Sequence, residues 1–214
     1  MKHSIKRRMI DGVGLWFAPV TLIGATVCGW GVFARGSLWL LAVIPVILYL
    51  WPPLLARCVR WLWPSRTHGP QPFHSREYAL WVLGFRIEAL YWYFPAFEHV
   101  LRCFPGVYSA WLRLWGARVG SSVFWGNARI LHRGRLHAGD RVVFGDSVTV
   151  SSHALVHRAG TGVWLLTKDV VIGRDVIVGA HSFLGPGANL PDESSVPFRS
   201  FERASIRIVL GGEA

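Results

Sequence analysis

The chain has 214 residues, which is enough for one ordinary domain or for a small domain with a membrane segment. Apolar residues make up 52% of it and charged residues only 16%, against about 25% in typical soluble domains, which excludes an ordinary soluble composition. The net charge is +11, and the basic residues of the N-terminal third lie beside the most apolar segments. This arrangement favours an anionic membrane surface, and not nucleic acid, as the partner.

Two uncharged segments follow the basic N-terminus. Residues 12–34 and 36–56 carry no charge, and about 20 apolar residues suffice to span a bilayer as a helix. Both segments are longer than the apolar core of about 7–15 residues in a secretory signal peptide. We therefore predict a transmembrane helical hairpin over residues 1–63, with its turn at 34–37. The alternative is a pair of buried helices in a soluble protein.

The charges around this hairpin predict its orientation. Basic residues flank both ends of it, and only Arg35 lies at the turn: Lys2, Lys6, Arg7, Arg8, Arg57, Arg60 and Arg66. Because positively charged flanks stay in the cytoplasm, both ends are expected there. We predict a multi-pass protein of the bacterial inner (cytoplasmic) membrane, whose C-terminal domain faces the cytoplasm.

Residues 64–118 are predicted to be a linker followed by interfacial or capping helices. Three prolines and a glycine in 64–74 are typical of a linker. Charges recur every few positions in 75–102, so no stretch there is long enough to span a membrane. Helices broken near Pro95 would lie on the membrane surface or cover the following domain.

The segment 107–117 is predicted to be a helix that covers the start of the following domain. Helical spacing places Val107, Trp111, Leu114 and Trp115 on one face.

From residue 119 onward, large apolar residues recur every six positions. The series comprises Val119, Trp125, Leu131, Ala138, Phe144, Val150, Val156, Ile172, Val178, Leu184, Leu190 and Val196. A period of six is typical of a short strand and a corner, and three such units close one triangular turn of a β-helix. We predict an α+β membrane protein in which residues 119–214 form a short left-handed parallel β-helix with a C-terminal tail. The alternative, a sandwich with irregular turns, would not keep this phase.

The rhythm is interrupted between Val156 and Ile172, where about ten extra residues must leave the β-helix as a loop. The flanking sequences, "SSHALVH" (151–157) and "VVIGRDVIVGAHSFLGPG" (170–187), resemble those of hexapeptide-repeat acyltransferases. The first is similar to the "TGHPVH" of galactoside and maltose O-acetyltransferases. Together with "WLRLWGARVG" (111–120), the pattern is closest to that of colanic-acid-type capsule acetyltransferases.

This resemblance implies a homotrimer with a site between adjacent subunits, and His153, just before the loop, as the catalytic base. Acetyl-CoA or another acyl-CoA would be the donor substrate, with no bound cofactor. The chemistry of the residue agrees with this role, since acyl transfer to a hydroxyl needs a base that titrates near neutrality. It also needs a backbone N–H to stabilise the oxyanion.

Further residues are predicted to contact the two substrates. His157, Asn127 and Trp164 are predicted on the acceptor side, and Ala180, Phe198, Arg199 and Arg203 on the donor side. His157 is alternatively predicted to orient His153. The donor side departs from the family, because "PFRSFERA" (197–204) stands where an "AGNPAK"-like end is usual.

The remaining histidines and cysteines predict no metal site. His181 is predicted to be structural. His132 and His137, with His153 or His157, are spaced in a way that allows the three-histidine zinc site of γ-class carbonic anhydrases. However, "HRGRLH" (132–137) lacks the rest of that pattern. The three cysteines have no metal-ligand spacing and are predicted to be reduced.

The hairpin implies a membrane-associated acceptor with a hydroxyl or an amine, such as a lipid-linked sugar or a lipid. Membrane lipid and acyl-CoA are therefore the expected partners, and nucleic acid is not. Two alternatives stay open: an acyl carrier protein as donor, which would suit the basic charge, and a non-enzymatic trimeric scaffold.

Overall fold

The computed structural model describes residues 2–36, 38–63, 69–73, 75–104, 106–158 and 162–203. The helices are α1 (Lys2–Arg35), α2 (Leu40–Pro45), α3 (Trp51–Leu62), α4 (Arg76–Tyr93), α5 (Ala96–Arg102) and α6 (Val107–Leu114), with a π-helical segment (Val46–Leu50) between α2 and α3. The chain divides into two compact units, one of residues 1–65 and 79–95 and the other of residues 66–78 and 96–214. Each unit is described by itself.

The first unit contains a helical hairpin. Gly36 adopts a left-handed conformation (φ 62°) at the end of α1, where a residue without Cβ is favoured. The second arm bends through the π-helical segment directly after Pro45, which has no N–H to continue the α-helical bonding. In this segment the carbonyl of Leu48 accepts a hydrogen bond from the Tyr91 hydroxyl of α4 (2.5 Å). The 79–93 part of α4 therefore packs with the hairpin.

Two helical segments, Gly14–Arg35 and Leu40–Leu62, are long and apolar enough to cross a membrane by length and composition. Within their most apolar windows, 11% and 22% of the residues are buried in the protein. Trp30, Phe33 and Trp61 are among the exposed side chains. A helix in a soluble core buries one face, so these arms differ from the alternative of two core helices.

The predicted helix break near Pro95 is confirmed, because α4 ends at Tyr93 and α5 begins at Ala96. The two helices belong to different units. Most of α4 clusters with the hairpin, whereas α5 clusters with the C-terminal strands. The predicted boundaries at 63 and 118 cut this pattern differently, because contacts across α4 and α5 are not visible in the hydropathy of the segment.

The second unit is built from three parallel sheets and one antiparallel sheet. Its strands are β1 (Gly69–Pro72), β2 (Arg118–Val119), β3 (Arg129–Leu131), β4 (Leu136–Ala138), β5 (Val143–Phe144), β6 (Thr149–Ser151), β7 (His153–Arg158), β8 (Gly162–Thr167), β9 (Val170–Ile172), β10 (Ile177–Val178), β11 (Phe183–Leu184), β12 (Asn189–Leu190), β13 (Ser195–Val196) and β14 (Phe201–Glu202). The first sheet has the order β12-β9-β4-β2, the second β13-β10-β5 and the third β14-β11-β6-β3. The chain visits these sheets in turn, and we call them the three-sheet domain.

The strand register shows the length of one turn of this domain. Ile177 pairs with Ser195, 18 residues later, as three six-residue units require. Val143 instead pairs with Ile177, 34 residues later, because an antiparallel hairpin is inserted in that turn. Phe144 and Val178 are fully buried between the sheets. The predicted six-residue rhythm is therefore the inward-facing series of a parallel-stranded domain.

Two positions of the predicted series are wrong. The inward residue on β3 is Ile130, which is 1% exposed and pairs with Val150, and not the half-buried Leu131. Val156 lies in the inserted hairpin, where it pairs with Trp164. The rhythm therefore stops at Val150, and the excursion is longer than the predicted ten residues. Apolar spacing could not reveal this, since β-branched and aromatic residues suit a hairpin strand as well.

The inserted hairpin consists of β7 and β8, and β1 adds a third strand along β8 in antiparallel register. The predicted linker at 64–74 is therefore partly a strand. Pro70 and Pro72 are tolerated because β1 is an edge strand, where a missing N–H breaks no ladder.

Helix α6 packs against the first turn of the three-sheet domain, as predicted. The Nε1 of Trp125 donates to the hydroxyl of Ser109 (2.8 Å), and the Trp125 ring stacks on Phe144. The buried face of α6 differs from the predicted one, since Val107 is exposed and the face comprises Tyr108, Ser109, Trp111 and Leu112, continued by Trp115. The predicted cover for the other end, 205–210, lies outside the described residues.

Candidate active site

His153 begins β7, two residues after the third sheet ends at Ser151. Its backbone pairs with Thr167 at the base of the hairpin, and its side chain is partly buried. The Ser151 hydroxyl donates to the carbonyl of His153 (3.0 Å) and lies 3.2 Å from its Nδ1. The rigid strand end on one side and the hairpin on the other thus hold this imidazole.

The second histidine of the site is His132. It follows β3, which pairs with β6, so the strand register brings the two chain segments side by side. The Nδ1 atoms of His132 and His153 are 3.1 Å apart, and the rings meet edge to face at a centroid distance of 4.6 Å. His132 has a left-handed backbone (φ 62°) and is 8% exposed.

The electrostatic surroundings keep His132 neutral. Burial, followed by the positive charges of Arg135 and Arg133, lowers the pKa of His132 to about 3. At neutral pH its ring therefore carries one N–H and one acceptor nitrogen.

A buried polar network supports the segment that carries His132. The Nε of Arg133 donates to Oε1 of Glu98 (3.1 Å), and both side chains are almost fully buried. The other oxygen, Oε2, accepts from Arg102 (2.9 Å) and from the Tyr108 hydroxyl (2.7 Å). Burial, and then the adjacent Glu98 charge, raises the pKa of Tyr108, which keeps that hydroxyl protonated. Helix α5 is thereby fixed to the short 3₁₀ turn after His132.

Asp169 fixes the return of the hairpin. Its carboxylate accepts from Arg135 (3.0 Å) and lies 3.3 Å from Nε2 of His137. These contacts join the chain just after β8 to the turn before β4.

The other predicted acceptor-side residues lie apart from His153. His157 is exposed four residues further along β7, a distance of about 13 Å in an extended strand. Trp164 pairs with Val156, and strand alternation puts it on the hairpin face opposite to His153. Asn127 is exposed in the turn before β3. The structure brings none of these three into contact with the His153 ring among the described contacts.

Three of the predicted donor-side residues meet at one corner, between the second and third sheets. The Arg199 N–H donates to the carbonyl of Ala180 (3.0 Å), and the Arg199 guanidinium lies over the Phe198 ring (5.1 Å to the centroid). His181 is exposed there and meets the same ring edge to face. His181 has a left-handed backbone (φ 59°), as corner residues of this domain repeatedly do.

Arg203 is the predicted donor-side residue that the fold brings to the edge where His153 lies. The register Thr149–Phe183–Phe201 places Arg203 two strands from Ser151, about 10 Å at normal strand spacing. Its guanidinium is exposed over the Phe201 ring. Its role in binding a donor stays a prediction.

A cavity of about 530 Å³ opens on the first sheet, and Arg113, Arg118 and His137 supply its polar lining. It does not include His153. Among the described residues, no group of three His, Cys, Asp or Glu side chains could hold a metal ion. His132 and His153 adjoin each other, but His137 is engaged with Asp169.

The analysis of the sequence did not assign a role to His132 or Ser151 in this site. The pairing of β3 with β6 decides that proximity, across 21 residues of sequence. The one sequence signal was a histidine immediately after a strand of the first turn.

A comparison with solved structures finds serine acetyltransferase isoform 3 of Entamoeba histolytica, in complex with cysteine, at 10% identity and a TM-score of 0.22. The alignment covers 78% of this chain and 60% of that one, which is less than two thirds of its length. No protein-family model and no curated protein matches the chain.

Proposed function

We propose that the protein is a membrane-anchored acyltransferase of the left-handed β-helix class, with His153 as its general base. The observation that carries the proposal is the pair of imidazoles at the base of the hairpin, His132 and His153, 3.1 Å apart at Nδ1. A rigid strand end positions the base, and the hairpin beside it supplies a wall that excludes water.

The proposed reaction moves an acyl group from the sulfur of acyl-CoA to a hydroxyl or an amine. The base takes the proton from the acceptor while its oxygen or nitrogen attacks the thioester carbonyl. The tetrahedral intermediate then collapses, the carbon–sulfur bond breaks, and the imidazolium returns its proton to the departing thiolate. Atoms and charges balance without a metal or a redox partner.

The acceptor is proposed to be a lipid or a lipid-linked sugar, because the two apolar helices would keep the domain at a membrane. The basic flanks of the hairpin place the three-sheet domain in the cytoplasm of a bacterial cell. Acyl-CoA is available in that compartment. The proposed assembly is a homotrimer with the site between adjacent subunits, so a partner would complete the site around His153.

The test is thioester cleavage by the full-length protein in detergent. Free thiol is measured with acetyl-, butyryl- and palmitoyl-CoA, with and without bacterial lipid extract. We expect cleavage with at least one donor, increased by the extract. His153→Ala should lower it by about 10²–10⁴-fold, the contribution of a general base.

Two results would change the proposal. Cleavage of acyl carrier protein thioesters alone would identify a different donor. No cleavage of any thioester, or normal cleavage by His153→Ala, would overturn the proposed activity or the proposed base. The mass in detergent tests assembly: a fully active monomer would contradict a shared site.

A further inference from the structure

We propose that His132 is a positioning residue that accepts a hydrogen bond from Nδ1–H of His153 and thereby leaves Nε2 of His153 as the basic nitrogen. This inference rests on the proposed function, because it assigns a partner to the proposed base. A carboxylate would be the more common acceptor for such a bond, and here a neutral imidazole takes its place.

The first argument is the geometry around Nδ1 of His153. Two polar atoms lie within hydrogen-bond distance of it, Nδ1 of His132 (3.1 Å) and Oγ of Ser151 (3.2 Å). The Ser151 proton is directed to the carbonyl of His153, 3.0 Å away, so Oγ presents a lone pair to the ring. A lone pair at that position favours a proton on Nδ1 of His153, which the tautomer with basic Nε2 requires.

The second argument is the state of His132. A buried imidazole that stays neutral has one nitrogen with a lone pair, and its Nδ1 faces His153. A charged His132 could only donate, and it would repel the imidazolium that forms when His153 takes a proton. The low pKa of His132 is consistent with its role as a permanent acceptor.

The third argument is that the position of His132 is fixed from both sides. The charged and titratable groups around the pair are Arg133, which is paired with Glu98, and Arg135, which is paired with Asp169, with His137 on the same carboxylate. The two arginine charges are therefore compensated locally. A surface histidine would rotate freely, whereas this one is held between β3 and the following 3₁₀ turn.

A neutral acceptor has a kinetic consequence. A carboxylate in this place would stabilise the imidazolium form of His153 and raise its pKa, so less free base would be present at neutral pH. An imidazole orients the ring without that charge. The pH at which activity falls on the acid side should therefore respond to the charge of residue 132.

Three substitutions separate these effects. His132→Asn keeps a neutral acceptor near the position of Nδ1, and Asn tolerates a left-handed backbone. His132→Asp keeps an acceptor and adds a charge, while His132→Leu removes the acceptor. The matched control is His181→Asn, the same change at an exposed histidine with nearly the same φ (59°).

The expected result is a shift of the acid limb of kcat/KM to higher pH in His132→Asp. In His132→Asn the limb should stay at the wild-type pH. His132→Leu should lose about 10²–10⁴-fold of kcat, since a base in the wrong tautomer cannot act, and His132→Asn should lose less than His132→Leu. Equal losses in Leu and Asn, with no shift in Asp, would overturn the inference.

A spectroscopic measurement tests the inference without turnover. The full-length protein is labelled with ¹⁵N-histidine, and the His153 signals are assigned by their loss in His153→Ala. We expect a protonated Nδ1 and an unprotonated Nε2 in the neutral form, with loss of this preference in His132→Leu. An Nε2–H tautomer in the wild type would overturn the inference. The expected tautomer in a protein that cleaves no thioester would support it while the proposed function failed.

Discussion

Arg133 and Glu98 form an ion pair whose side chains are 1% and 8% exposed, and it joins α5 to the turn that carries His132. The guanidinium also lies over the rings of Trp111 and Trp115, 5.4 and 5.6 Å from their centroids. The pair therefore connects two helices to the three-sheet domain at the proposed site.

Removing one partner of this pair should be strongly destabilising. Glu98→Leu leaves a buried guanidinium without its carboxylate, and such changes cost about 3–5 kcal/mol. The unfolding midpoint in denaturant measures this. The double variant Glu98→Leu/Arg133→Met should recover part of the loss, since no buried charge then remains. The exposed pair Arg174–Asp192 is the control, and Arg174→Ala should change the midpoint little. Equal effects at both pairs would contradict this account.

The stability of the protein should fall as the pH drops below about 6.5. The unfolded chain protonates residue 132 near pH 6.5, whereas the folded protein resists protonation down to a pKa of about 3. The unfolded state thus binds more protons between these values, so acidification favours unfolding. This histidine contributes a slope of up to about 1.4 kcal/mol per pH unit. Unfolding midpoints from pH 7 to 5 should fall more steeply in the wild type than in His132→Asn. Parallel curves would show that His132 is not the group responsible.

Gly145 should not tolerate a side chain. A Cβ at this corner would lie 2.5 Å from the backbone N and 2.8 Å from the Cα of Ala180, and neither atom can move without shifting the strands. Gly145→Ala should lower stability by about 1–3 kcal/mol, the usual cost of overpacking. Gly84 in α4 is the comparison, because a Cβ there meets no atom within 4 Å. Gly84→Ala should stabilise the helix by about 0.5–1 kcal/mol. Thermal unfolding of both variants measures the contrast, and a neutral Gly145→Ala would show that the corner is looser than described.

The proposed orientation can be tested with the cysteine of α5's C-terminal end. Cys103 is exposed and belongs to the unit that holds the three-sheet domain. In a variant with Cys28 and Cys58 replaced by serine, an impermeant maleimide should label Cys103 only after spheroplasts are permeabilised. The control is Leu38→Cys at the hairpin turn, which should react in intact spheroplasts. Labelling of Cys103 from outside would reverse the orientation.

Some features of this protein follow from local patterns, and the sequence by itself determined them. Helix length and composition predicted two membrane-length apolar helices, and the bulky residues of the Ile172–Val196 series predicted parallel strands with a turn of 18 residues. Both patterns are local, because each residue's burial depends on its own place in a short period. The interruption before Ile172, and His153 beside it, could be read in the same way. The membrane location and the catalytic role stay predictions.

The tertiary structure decided what depends on pairing between distant segments. The inward position of Ile130 follows from its register with Val150, and the strand at Pro70 exists because β8 offers it an edge. Most decisively, His132 and His153 are 21 residues apart in sequence, and their rings meet because β3 and β6 are neighbours in one sheet. Hydrophobic periodicity fixes which face a residue takes, but it carries no information about which side chain lies on the next strand. That choice is made by strand register, and it brings the second imidazole to the site.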